Sequence, residues 1–180
     1  MNKTTHNIQV EHIIIRSTKS FADVRANLEQ LLPQLNPKIP SLMVSGDTKR
    51  LQEKLDAGPE LAIFLSRDHG GLLRIAGQAR KAVQYEIGNP LTASKMTRHQ
   101  LAAGLYAPLR VVLYEDQEGG SVFEYDRPSS LFGQFGDQQV NDVARGLDVA
   151  LERTLSHATS SASTSDGQST SATAIPDPKV

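Results

Sequence analysis

Three groups of residues have the types and spacing to do chemistry. The first is the stretch "YEIGNP" (85 to 90), which runs straight into "LTASKM". Gly88 permits close backbone approach, and a helix starting at Pro90 would expose N–H groups able to receive a carboxylate or phosphate. The same residues also suit a plain helix start, since Asn is among the best N-caps and Pro is favoured at the first helical position. The second group is Asp68, His69, Glu86 and His99, in which a histidine beside a carboxylate could move protons. Their spacing matches no metal-binding pattern, and His69 could equally do no more than follow an Asp68 cap while Glu86 faces solvent. The third is "EYDRPSSLFGQFG", where Asp126, Arg127, Ser129 and Ser130 end a strand. Arg127 could grip an anion at two points, or it could pair with a neighbouring acid while Phe132 and Phe135 fill core or a dimer contact.

Composition removes several classes of chemistry. There is no cysteine, so disulfides, thiolate nucleophiles and Cys-based zinc or iron–sulfur sites are excluded. Nineteen Lys and Arg against 20 Asp and Glu give a formal charge of −1, so no global field draws nucleic acid or an anionic membrane surface. The opening "MNKTTHNIQVEHIII" lacks the pattern of a secretory signal, and no run approaches the ~20 apolar residues of a membrane span. "GLLRIAG" and "GQFG" lack phosphate-loop spacing, and no Gly-x-Ser-x-Gly elbow occurs. A cytoplasmic location, no nucleic-acid or membrane partner, no metal and no cofactor are the expectations.

The elements that must position these residues follow from periodicity. Dense β-branched residues predict a strand from Ile8 to Arg16. Ser20 caps a helix whose apolar stripe is Phe21, Val24, Leu28, Leu31 and Leu32, with Asp23 in its first turn. Pro33, Pro37 and Pro40 predict a loop; Asp47 then caps a short surface helix closed by Gly58 in the left-handed conformation and by Pro59. "ELAIFLS" (60 to 66) and "AVQYEIG" (82 to 88) read as strands, with an Asp68-capped helical turn between them closing near Gly77. "PLRVVLYED" and "SVFEYDRP" form a hairpin around Gln117 to Gly120. A last amphipathic helix carries Val140, Val143, Ala144, Leu147, Leu151 and Leu155 on one face. This order predicts an α+β fold, a mainly antiparallel sheet packed by helices on one face with a long C-terminal helix. A flexible start (1–7), a single domain (8–157) and a disordered Ser/Thr-rich tail (158–180) complete the expected organisation.

The ordered pieces "YEIGNPLTASKM", "LYAPLRVVLYE" and "EYDRPSSLFGQFGD", followed by "VARGLDVALERTL", resemble the domain of unknown function 302 family over roughly Ile8 to Leu155. The resemblance implies a compact α+β domain that pairs as a homodimer, and it implies no established reaction. Many members carry a cysteine just before the Asn-Pro where this chain has Gly88, so a thiol or metal role does not transfer. The residues and the resemblance together predict a homodimeric module. It would bind a small anionic ligand through Gly88, Asn89, Asp126, Arg127, Ser129 and Ser130. Two alternatives stay open: an acid/base enzyme using His69 with Glu86 or His99, and a non-catalytic dimerisation or interaction module.

Overall fold

The computed structural model of the 180-residue chain describes residues 1–160. Five strands form one sheet in the order β1-β5-β4-β3-β2, every neighbouring pair antiparallel: β1 His12–Ser17, β2 Ala62–Asp68, β3 Ala82–Gly88, β4 Leu109–Glu115 and β5 Ser121–Asp126. Strand side chains alternate between faces. Val83, Tyr85, Ile87, Val111, Leu113, Phe123 and Tyr125 therefore share one face, and all belong to the buried core. Helices α1 (Phe21–Leu31) and α7 (Gln138–Thr159) lie on that face, where α7 contributes Val140, Ala144, Leu147, Leu151 and Leu155 and α1 contributes Phe21, Val24 and Leu28. Glu86, Arg110, Val112, Tyr114 and Glu124 line the opposite face of the sheet. The fold is thus α+β with the helices, as expected, against an antiparallel sheet.

Local chemistry explains most element boundaries. Ser20, Asp47, Asp68, Asn89 and Asp137 each cap a helix with a side-chain oxygen on first-turn amides. Gly77 closes the turn after α4 (His69–Leu73) at φ 71°, a conformation that glycine adopts without steric cost.

Five boundaries differ from the sequence expectation, the simplest being β2, which runs over Ala62–Asp68 instead of 60 to 66. β1 begins at His12 instead of Ile8, because β5 ends at Asp126 and the last pairing upstream is Arg127 N–H to the Glu11 carbonyl at 2.8 Å. The proline-punctuated stretch contains a helix, α2 (Lys38–Ser45), and Pro40 is tolerated because it sits in the first turn, where amides have no helical acceptor. Gly46, at φ 71°, takes the left-handed closing position of α2, whereas α3 (Thr48–Asp56) ends on Ala57 in right-handed geometry and Gly58 is not left-handed. At the C-terminus, α7 continues to Thr159 with Ala158 buried, beyond the expected start of the tail at 158; the rest of that predicted tail, 161–180, lies outside the described residues. No helix among the described residues is long and apolar enough to cross a membrane.

Candidate functional site

The Gly88–Asn89–Pro90 turn joins β3 to α5 (Pro90–Thr97). Asn89 Oδ1 accepts hydrogen bonds from the amides of Leu91 at 2.8 Å and Thr92 at 3.2 Å, while its Nδ2 donates to the Pro59 carbonyl at 2.9 Å. The amides that could have received an anion are therefore already satisfied by the cap.

Beside this turn lies a hollow of about 380 Å³. Its walls are built mainly from Ile39 and Met43 of α2, Phe64 of β2, Met96 of α5, Pro108 and Phe132. Among the described residues, no ionisable side chain lines it. Ser94 and Thr97, also in the wall, donate their hydroxyls to the Leu91 and Ala93 carbonyls, at 2.7 and 3.1 Å. Thr92 is the remaining wall hydroxyl. Gly88 forms part of the surface, and a Cβ placed on it would meet Phe64 Cε2 at 3.5 Å and Pro108 Cβ at 3.7 Å, ordinary contact distances. The Phe132 ring, fully buried, stands edge-on to Tyr106 with centroids 6.1 Å apart.

The Asp126 to Ser130 segment is engaged elsewhere. Arg127 Nε donates to Glu11 Oε2 at 2.8 Å, and Ser130 Oγ accepts from the Glu11 amide at 3.0 Å while donating to the Arg127 carbonyl at 2.7 Å. The Ser129 amide donates to Asp148 Oδ1 at 2.9 Å, tying the start of α6 (Pro128–Phe132) to α7. Ser129 and Ser130 border a separate hollow with His6, Gln9 and Phe135, which Gly88 and Asn89 do not reach. The six residues expected to form one anion site thus fall in two places, and Arg127 is paired.

Among the acid/base candidates, His69 and His99 are exposed, at the start of α4 and just after α5. Glu86 is held by Arg67 Nη1 at 2.6 Å on the open face of the sheet, and Asp68 caps the Gly71 amide at 2.8 Å. No hydrogen bond or ion pair joins any two of His69, Glu86 and His99. Among the described residues, no three His, Asp or Glu side chains gather as a metal-ligand set.

One titratable cluster escaped sequence reasoning. On the open face His12 Nδ1 meets Asp126 Oδ1 at 2.9 Å, His12 Nε2 meets Glu124 Oε2 at 3.1 Å, and Tyr114 donates to Glu124 Oε1 at 2.5 Å. Hydrogen bonds to Asp126 and then Glu124 raise the His12 pKa above 6.5. The Tyr114 and His12 hydrogen bonds lower that of Glu124, and the Tyr114 hydroxyl is raised by its bond to Glu124. Because the two ring nitrogens point to opposite sides, the carboxylates do not converge on one point, and the cluster acts as a cross-link between β1 and β5. Its only sequence signal is the antiparallel register that sets His12 opposite Asp126, and register is invisible until the strands are paired.

The Domain of unknown function DUF302 matches residues 46–158. The chain is also similar to the crystal structure of an uncharacterized conserved protein DUF302 from Bacillus stearothermophilus, with a TM-score of 0.60 and 17% sequence identity over 82% of this chain and 97% of that one. At that identity the likeness shows the fold alone. No curated protein matches. Since the family match spans well over half of the sequence and the fold agrees with it, the chain belongs to the DUF302 family.

Proposed function

We propose that the chain is a cytoplasmic module that binds a small, uncharged and largely apolar molecule in the hollow beside Gly88, Asn89 and Pro90. The observation that carries this reading is a concave space of about 380 Å³ with, among the described residues, no ionisable side chain in its wall. That volume lies in the range of small-molecule sites, which are mostly apolar with few polar groups to orient the ligand. Here Thr92 is the available hydroxyl. An anion would be poorly served: it would lose its hydration, find no counter-charge, and compete with the Asn89 side chain for the two amides. Binding of a neutral naphthylamine dye, followed by fluorescence, tests the site. Ala93→Phe places a ring in the hollow and should weaken binding at least ~tenfold, the equivalent of about 1.4 kcal/mol, without altering circular dichroism. Arg127→Ala should leave binding unchanged. Equal binding by the Ala93 variant and the parent chain would remove the assignment.

The homodimer reading has an observation of its own. Among the described residues β1 is an outer strand of the sheet, paired only to β5, and its outer edge can accept a second copy of itself in antiparallel register. Light scattering should give twice the chain mass. A single-chain mass at every concentration would exclude the dimer while leaving the cavity assignment intact.

A further inference from the structure

The wall of the hollow beside Asn89 is short of hydrogen-bond donors. Three of its residues, Pro40, Pro90 and Pro108, have no backbone N–H to offer. At the start of α5 the amides of Leu91 and Thr92 donate to Asn89 Oδ1, and that of Ala93 donates to the Asn89 carbonyl at 2.9 Å. Asn89 in turn spends an Nδ2 hydrogen on the Pro59 carbonyl, which lies outside this wall.

The hydroxyls of the wall are unevenly available. Ser94 and Thr97 are three apart on α5 and so share one side of the helix. Each gives its one hydrogen back to the helix, Ser94 Oγ to the Leu91 carbonyl at 2.7 Å and Thr97 Oγ1 to the Ala93 carbonyl at 3.1 Å. A hydroxyl has one hydrogen and two lone pairs, so towards a ligand both of these can only accept. Thr92 differs: among the described residues its hydroxyl has no hydrogen-bond partner, and it can give or receive. All three residues are half-buried.

We propose that the molecule held in the hollow is an apolar body bearing a neutral hydrogen-bond donor, an O–H or N–H, which Ser94 and Thr97 accept. This inference rests on the hollow being a ligand site and narrows the class of ligand it takes. A hydrocarbon, ether or ketone of the same shape has no hydrogen to give. On entering it would strip water from the two oxygens and leave them without a donor, with Thr92 alone able to meet an acceptor. A neutral donor restores that bond and brings no charge into a wall that has no counter-charge.

The test is competition against the neutral naphthylamine dye on the full chain. Although 2-methoxynaphthalene is the more apolar compound, 2-naphthol should displace the dye at about two- to tenfold lower concentration, the span expected of one neutral hydrogen bond. In Ser94→Ala with Thr97→Val this preference should vanish, and in Thr97→Val alone, which nearly keeps the side-chain shape, it should shrink. Circular dichroism should stay unchanged in both variants, because the lost hydroxyls bond onto carbonyls that the helix already uses. Equal displacement by the two compounds, from a chain that binds the dye, overturns the inference and leaves the hollow as an apolar site. A preference that both variants retain in full also overturns it, since it would then come from the bulk of the extra methyl group. A chain that does not bind the dye loses the site and the inference together.

Discussion

The side chain of His12 reads pH for the edge of the sheet. Its pKa is raised by Asp126 and Glu124, so the stability it contributes is fully present below 6.5 and is lost as pH rises through the elevated folded value. Glu124 is lowered, so its contribution is present above 4.5 and is lost as pH falls through the depressed value. The β1 to β5 cross-link is therefore strongest between those two limits. His12 is half exposed, which keeps the effect small and salt-dependent. A proton resonance titration should place the His12 ring above 6.5, and Asp126→Asn, which removes the larger cause, should bring it back towards that value. Gly88→Ala is a second test at this scale. Gly88 has no positive φ and room for a methyl, so the substitution should hold or raise stability by about 0.4–1 kcal/mol in chemical denaturation. A clear loss would mean that the Phe64 and Pro108 walls do not tolerate even one carbon.

Helix ends carry much of the architecture around the cavity. Asn89 satisfies two amides of α5 and ties the turn to Pro59, so Asn89→Ala should cost about 1 kcal/mol or somewhat more, measured by denaturant midpoint. Asn89→Asp separates the two duties: it keeps the cap and loses the Nδ2 bond to Pro59. Recovery of most of the loss would assign the energy to capping. The same elements show how local signals and packing divide the labour. Ser20, Asp47, Asp68 and Asn89 are recognisable as caps because a short oxygen-bearing side chain before a periodic run has few other purposes. Helix α2 was hidden because three prolines read as breakers, although Pro40 falls where a helix needs no donor. Missing α2 meant missing one wall of the cavity, since Ile39 and Met43 come from it.

Across the whole molecule, Phe132 connects the core to the cavity, packing edge-on against Tyr106 while lining the hollow. Phe132→Ala should cost about 3–5 kcal/mol in thermal or chemical denaturation, a large share of a typical domain's stability. Phe132→Leu should cost less and enlarge the hollow, so that bulkier neutral probes bind better relative to smaller ones. The order of the strands, the antiparallel hairpin, β3 and its Asn-Pro helix start, and the apolar face of α7 all follow from the chain alone, because they depend on neighbours a few residues apart. The absence of cysteine chemistry was equally legible. What only the folded chain decided was which polar groups remain free. Asn89 closes its own amides, Arg127 meets Glu11 across more than a hundred residues, and His12 finds Glu124 and Asp126 through strand register. An ionisable residue's role depends on its partners, partners are set by long-range pairing, and composition and spacing along a chain carry no record of that pairing.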